Sequence, residues 1–183
     1  MGRRASLAVL FYGGLRISEV CALRWTDLEL ERGLIRVRDS KTAAGIREVV
    51  TAVPLLAELR AWHSLSSDTR KNSIVFPTAS DKPRDKDNYR QRILARTLER
   101  AAALLEDRNE NPLPQSVTSR TGRRTCITWW LDAGENPRWV MSQVGHEDAG
   151  LTLRIYAQVS QRPPDPRIKK AMKRPEAWLR EAA

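Results

Sequence analysis

Residues 119–156, SRTGRRTCITWWLDAGENPRWVMSQVGHEDAGLTLRIY, contain three helical patterns and the reactive groups around which the chain is organised. Arginines open the first pattern, Gly145-His146 follows the second, and Tyr156 lies ten residues after His146 in the third. Each of these side chains, taken alone, more often lies on the surface or packs in the interior than takes part in chemistry. Together they favour a phosphate ligand, because guanidinium forks can neutralise phosphate oxygens and a phenol can attack phosphorus.

Caps and breakers delimit the first two of these patterns. A helix is predicted from Ser119 to Asp132, with Gly134 ending it. Asn136-Pro137 then provides a cap followed by proline at the first helical position, and Gly145 ends this second helix. Gly145-His146 is therefore expected at a helix end.

Upstream, the apolar period changes from helical to alternating. Residues 28–30, 34–38 and 46–50 predict three short strands in an antiparallel meander, with Lys41 in the second hairpin. Helical patterns and one further short strand surround this meander, at 5–12, 15–23, 51–62 and 89–105 for the helices and 74–76 for the strand. The predicted fold class is α+β, a mainly helical domain with a small three-stranded antiparallel sheet.

Arg16 and Glu19 lie three residues apart in the second helical pattern. Two accounts of this pair remain open from the sequence. It is either a surface ion pair, worth under about 1 kcal/mol, or a carboxylate that holds a buried Arg16 in position.

Composition points to a polyanionic partner. The chain has 183 residues, the length of one domain, and a formal net charge of +10, which favours nucleic acid first and an anionic membrane surface second. No apolar run approaches the roughly 18 residues of a membrane span, and no signal peptide is evident. We therefore expect a cytoplasmic protein.

The residue inventory argues against metal and cofactor chemistry. The only cysteines, Cys21 and Cys126, lie in apolar helical patterns and are predicted to be small buried residues. The two histidines and two cysteines have no zinc-ligand spacing, and the motifs lack the clustered carboxylates of a two-metal nuclease. No P-loop, dinucleotide fingerprint or serine-hydrolase elbow is present.

Four motifs in order resemble the tyrosine recombinase (phage integrase) family, from about Leu7 to Val159. They are GLRISEVCALRW, SKTAAGIREV, TGRRTCITWWLDAG and VGHEDAGLTLRIY. The resemblance implies a catalytic set of two arginines, a lysine, a histidine and a tyrosine nucleophile, at Arg16, Arg123, Lys41, His146 and Tyr156. The spacing from Gly-His to tyrosine is the most specific of these features.

One position departs from the family pattern. Three residues before its second arginine the family usually has a histidine, sometimes a lysine, and here the residue is Arg120. A guanidinium stays protonated at neutral pH and cannot accept the tyrosine proton, so the resemblance leaves Arg120 a phosphate-binding role and makes reduced activity one of the expectations. A register that makes Arg124 the second arginine is the alternative to Arg123.

The resemblance also implies a function and an organisation. Residues 1–160 would form the catalytic domain and 161–183 a tail that contacts other subunits, with the family's N-terminal core-binding domain absent. The expected partners are double-stranded DNA and further copies in a tetramer, without cofactor, membrane or small-molecule substrate, and the protein would join the nucleoid when bound to DNA. The expected activity is site-specific recombination or integration through a 3′-phosphotyrosyl intermediate.

Three alternatives stay open at this point. One is a non-cleaving DNA-binding remnant of a recombinase, and another is DNA relaxation of the type IB topoisomerase kind. The third and weakest is a basic surface protein for RNA or membranes.

Overall fold

The computed structural model describes residues 2–38, 45–145 and 149–175. Within these ranges the helices are α1 (Gly2–Phe11), α2 (Ile17–Ala22), α3 (Val53–Leu65), α4 (Lys86–Tyr89), α5 (Arg96–Asp107), α6 (Ser119–Asp132), α7 (Pro137–Val144), α8 (Ala149–Val159) and α9 (Pro166–Ala171). The strands are β1 (Leu28–Glu29), β2 (Leu34–Val37) and β3 (Arg47–Val50). This confirms the mainly helical α+β fold with a three-stranded sheet.

The sheet is the predicted antiparallel meander, in the order β1-β2-β3. Arg36 pairs with Glu48 and Ile35 with Val49 across β2 and β3. The side chains of Ile35 and Val49 are buried, whereas Arg36 and Glu48 form an exposed ion pair of 3.0 Å. Alternation along the strands therefore separates a core face from a solvent face.

Two apolar clusters form the interior. The first joins α1, α2, the sheet and α3, and includes Val9, Val20 and Leu59; the second joins α6, α7 and α8 around Trp130. Tyr12, just after α1, packs against both clusters. The groups that could bind an anion lie where α2 and β3 meet the end of α7.

Local signals fix the helices that carry those groups. Thr118 caps α6 by accepting from the Thr121 backbone N–H at 3.3 Å, and Asn136 caps α7 through a 2.9 Å bond from Arg138 N. Gly145 then ends α7 with a φ of +62°, a conformation that favours glycine over residues with a Cβ. The predicted bounds of α6 and the predicted end of α7 are confirmed.

Three elements differ from the sequence prediction. The strand predicted at 74–76 is wrong: Ile74 forms only an isolated bridge with Arg24. The helix predicted over 89–105 is divided by a π-helical turn, Arg90–Ala95, between α4 and α5. Helix α9 was not predicted; Pro166 occupies its first turn after an Asp165 cap, where proline costs nothing because that N–H has no helical partner.

Three further features concern the cysteines, the length of the helices and groups of metal-ligating side chains. Both Cys21 and Cys126 are free and buried, as predicted. No helix in the described parts of the chain has the length and apolarity to cross a membrane. Across those same residues, no group of three or more His, Cys, Asp or Glu side chains is placed to hold a metal ion.

Candidate active site

Three consecutive carbonyl oxygens at the C-terminal end of α7 each accept a hydrogen bond from a different arginine. The pairs are Gln143 O with Arg47 Nε at 2.8 Å, Val144 O with Arg123 Nη2, and Gly145 O with Arg16 Nη2 at 3.0 Å. The last carbonyls of a helix lack helical partners and carry the negative end of its dipole. This helix end therefore gathers cations from α6, from β3 and from the residue preceding α2.

Arg16 is held from its own side by Glu19. The Glu19 carboxylate accepts from Arg16 N at 2.8 Å and from Arg16 Nη1 at 2.9 Å. The Glu19 side chain is only 5% exposed, whereas the Arg16 side chain is 39% exposed. The carboxylate is thus the buried member of the pair, and the guanidinium that it orients keeps a face toward solvent.

Arg47 completes this cluster, and it was not singled out from the sequence. Its guanidinium donates to both Glu19 oxygens, at 2.9 and 3.2 Å, and to Gly45 O at 2.7 Å. Both side chains of this ion pair are 5% exposed. A signal was available, because Arg47 shares a strand face with Val49, a buried core residue.

The ionisation of Glu19 follows from these contacts. Burial alone raises the pKa of Glu19, but the hydrogen bonds and charge of Arg47, with hydrogen bonds from Arg16, outweigh burial and leave the pKa below its ordinary value. The carboxylate is therefore charged at neutral pH. A charged Glu19 is what both arginines require.

Arg123 bonds the backbone on both sides of the site. Its Nη1 donates to Gly14 O at 2.7 Å, in addition to the bond with Val144 O. Burial lowers the pKa of Arg123 to about 10, and the charges of Arg16 and Arg47 add to the effect. Because its neighbours are cations, an anion bound here would relieve the repulsion.

Gly14 makes the close approach to α6 and α7 possible. Its φ is +62°, and a Cβ at this position would meet Cys126 Sγ and Val144 Cγ1, each at 3.0 Å. A side chain here would push the Gly14 carbonyl away from Arg123. Gly14 is therefore part of the site's geometry.

The remaining predicted site residues lie on α6 and α8 or outside the described residues. Arg120 is exposed on α6 and lines a separate cleft with Leu94 and Thr118. Tyr156 lies on α8 and is 44% exposed. Lys41 and His146 lie outside the described residues, although His146 follows Gly145 directly in the chain.

The two registers proposed for the second arginine have different surroundings. Arg123 joins Arg16 and Arg47 at the end of α7, whereas Arg124 is exposed. Arg16 and Arg47 bind Glu19, and Arg123 joins them at the end of α7. Three guanidiniums and one carboxylate leave an excess of positive charge. The chemistry best suited to it is binding and charge stabilisation of an oxyanion such as a phosphate.

Sequence comparison with known proteins identifies a family and several relatives of this chain. A model described as the phage integrase family matches residues 1–162. Prophage integrase IntR of Escherichia coli (strain K12) is 33% identical over 172 residues, covering 79% of this chain and 40% of IntR. Tyrosine recombinase XerA of Thermococcus kodakarensis is 31% identical over 157 residues, covering 84% of this chain and 50% of XerA. The chain spans half or less of the length of these two relatives.

Solved structures share the fold. The Tn1549 transposon integrase in complex with transposon right end DNA has a TM-score of 0.69 at 22% identity, covering 100% of this chain and 59% of that chain. A crystal structure of XerA recombinase has a TM-score of 0.61 at 23% identity, covering 100% of this chain and 57% of that chain. Likeness at this identity concerns the arrangement of elements alone.

Proposed function

The chain belongs to the phage integrase family of tyrosine recombinases, and from this premise we propose that it cuts and rejoins double-stranded DNA through a 3′-phosphotyrosyl intermediate. The observation that carries the proposal is the arginine cluster at the end of α7, where Arg16 and Arg123 converge. Their excess positive charge suits the pentacoordinate phosphorus of a transesterification, which carries more charge on its nonbridging oxygens than the ground state does.

In the proposed reaction the Tyr156 oxygen attacks the scissile phosphorus, its phenolic proton passes to solvent water, and the bond to the 5′-oxygen breaks. Lys41 gives a proton to the leaving oxygen, while Arg16, Arg123 and His146 stabilise the phosphoryl oxygens and Arg120 adds a cation at the edge. The phosphotyrosine conserves the energy of the phosphodiester, so the 5′-hydroxyl of a second DNA strand can reverse the step without a cofactor. Recombination and integration are repetitions of this exchange between paired DNA sites.

The exposure of Tyr156 supports its role as nucleophile. At 44% exposed on a helix that packs against α6 and α7, its phenol is accessible to a duplex. Tyr89, by contrast, is buried, and its hydroxyl donates to Ser6 Oγ at 2.7 Å. Burial raises the pKa of Tyr89, so Tyr89 is less suited than Tyr156 to attack a phosphate.

A suicide DNA substrate tests this proposal. Such a substrate carries a nick next to the cleavage position, so cleavage releases the short fragment that bears the 5′-hydroxyl. Without this hydroxyl the reaction cannot reverse, and the phosphotyrosyl adduct accumulates and shifts the protein on a denaturing gel. We expect an adduct with the unmodified chain, none with Tyr156→Phe, and a normal yield with Tyr12→Phe. A library of randomised DNA in the same assay reads out the preferred site.

A non-cleaving DNA-binding protein is the second candidate function, and Arg120 favours it. Arg120 stands where the family usually has a proton-accepting histidine, and it is exposed, without a described contact to the arginine cluster. Duplex binding without any adduct would identify this alternative. Supercoil relaxation without strand exchange would instead identify a topoisomerase-like activity.

We also propose that the chain self-associates on DNA as a tetramer and that its tail contacts a neighbouring subunit. The motivation is the family's assembly on paired sites. Crosslinking on DNA with one or two sites measures it: a tetramer on paired sites supports the proposal, and only monomers on both contradict it.

A further inference from the structure

Arg47 contacts three separate parts of the molecule with one side chain. Its Nη1 and Nη2 bind the two oxygens of Glu19, its Nε binds Gln143 O on α7, and Nη1 also binds Gly45 O at the start of its own strand. These bonds span 28 residues to Glu19 and 96 residues to Gln143. Arg47 therefore joins α2, α7 and the second hairpin at one point.

A second set of bonds fixes α7 against the same strand. The Gln143 side chain accepts from Val50 N at 2.7 Å, and its amide nitrogen lies 3.5 Å from Glu48 O. The Gln143 side chain is buried. Arg47 and Gln143 together thus hold the last turn of α7 on the edge of β3.

The chemistry of this arrangement requires arginine. The planar fork matches both carboxylate oxygens while leaving Nε for the helix carbonyl, whereas a lysine ammonium is a single point charge on a flexible stem. A buried ion pair gives little net stability over apolar packing. Its value here lies in geometry, because the bonds to Glu19 and Gln143 fix segments that adjoin Arg16 and His146 in the chain.

We infer that Arg47 is a positioning residue that holds the phosphate-binding cations in place. Through Glu19 it orients Arg16. Through Gln143 O it fixes the helix end that precedes His146 in the chain, and through Gly45 O it fixes the segment just before β3. This inference rests on the proposed function, since it assigns Arg47 to the same site.

The variants are Arg47→Lys, Glu19→Gln combined with Arg47→Met, and the control Arg36→Met. Arg47→Lys keeps a cation beside the buried carboxylate but removes the fork. The double variant removes both charges, so no buried charge is left unpaired. Arg36 lies on the neighbouring strand with a side chain exposed to solvent, so its variant removes a guanidinium outside the site. The two Arg47 variants leave the net charge of the chain unchanged.

The first measurement needs no DNA cleavage. The melting temperature is measured by circular dichroism in inorganic phosphate and, for comparison, in chloride at the same ionic strength. We expect a rise of about 2–4 °C for the unmodified chain and for Arg36→Met, and no rise for the two Arg47 variants. An equal rise in Arg47→Lys, or none in the unmodified chain, would overturn the inference.

The second measurement separates positioning from binding. With the suicide substrate, Arg47→Lys is expected to trap about 100-fold more slowly, while its Kd for duplex DNA changes less than threefold. Trapping at the unmodified rate, or a loss explained entirely by weaker binding, would overturn the inference. Loss of the fold in both Arg47 variants would overturn it as well, because the role would then be stability.

The two proposals fail in different ways. If the unmodified chain forms no adduct, the proposed function fails, and the phosphate-dependent melting still decides the inference about Arg47. If the adduct forms and Arg47→Lys behaves as the unmodified chain in both measurements, only the inference fails.

Discussion

Glu19 makes the free energy of unfolding depend on pH, because its buried carboxylate binds two arginines. Its pKa is below the ordinary value in the folded chain, so on acidification the unfolded chain takes up the proton first. The contribution of Glu19 to stability is therefore complete above a pH of about 4.5 and is lost as the pH falls through the native pKa.

Glu19→Gln is expected to lower the free energy of unfolding at pH 7 by about 3 kcal/mol, because it leaves the buried Arg47 without its charge partner. The difference from the unmodified chain should shrink as the pH falls below about 4.5. Urea unfolding at several pH values between 3 and 7 measures it. A difference that stays constant over this range would show that Glu19 acts through packing and not through its charge.

Arg120 offers a second test with a single side chain. Arg120→His restores an imidazole at the position where the family usually has a proton acceptor, and should raise the rate of adduct formation about tenfold or more at pH 7.5. The rate should also increase with pH between about 6 and 7, the range in which imidazole loses its proton. Because Arg120 is exposed, stability should not change, and Arg120→Ala serves as the control without an imidazole.

The site residues show what sequence can and cannot supply. Arg16 and Arg123 lie in local motifs, and the structure brings them together at one helix end. Arg47 was missed because its partner is 28 residues away, a separation that no local pattern reveals, although its alternation with Val49 marked a buried position. The relation of Tyr156 to the cluster depends on how α8 packs, which sequence spacing does not determine.

Helix α5 and the π-helical turn before it present a basic surface. Arg92, Arg96 and Arg100 are exposed along this segment, and no residue of α5 is buried. A helix that contributes so little to the core is free to follow a duplex backbone, so its arginines are expected to contact phosphates.

Arg96→Ala combined with Arg100→Ala should weaken DNA binding to the same extent for every sequence, with little effect on melting temperature. The slope of log K against log salt concentration should fall by about 1.8, since each phosphate contact contributes about 0.9. Arg60→Ala combined with Arg70→Ala, on other exposed segments, is the matched control for charge. An unchanged slope would place the DNA elsewhere.

End signals in the sequence predicted α6 and α7, whereas α9 was not predicted although it has an Asp165 cap and Pro166 in its first turn. Gly134 marked the end of α6 in the sequence, and Asn136-Pro137 and Gly145 marked the two ends of α7. The π-helical turn has no such signal, and Ile93 and Leu94 within it are buried. The strand expected at 74–76 carried the right residues, but a strand also needs a partner edge, and Arg24 offers a single bridge.

The tail from 161 onward belongs in part to the body of this molecule. Met172 is 2% exposed in the second apolar cluster, Lys173 O accepts from Val53 N at 3.2 Å, and Arg174 binds Glu135. Met172 thus packs in the same core as α6, and Lys173 and Arg174 bond to the same part of the molecule.

Truncation after Val159 should therefore lower the melting temperature by several degrees, because it removes Met172 and exposes apolar surface. Truncation after Pro175 should leave the melting temperature within about 1 °C and weaken tetramer formation on paired sites more than single-site binding. Thermal melting and gel shifts on one and two sites measure both effects. If truncation after Pro175 weakened single-site binding and paired-site binding equally, a role of the tail between subunits would be contradicted.

The contact between Arg174 and Trp139 gives the molecule an optical consequence. The guanidinium carbon lies 4.1 Å from the centroid of the indole ring, and a cation stacked on an excited indole alters its emission. Fluorescence of this one ring, isolated by subtracting the spectrum of Trp139→Phe from that of the parent chain, would report in real time whether the tail stays docked as partners assemble.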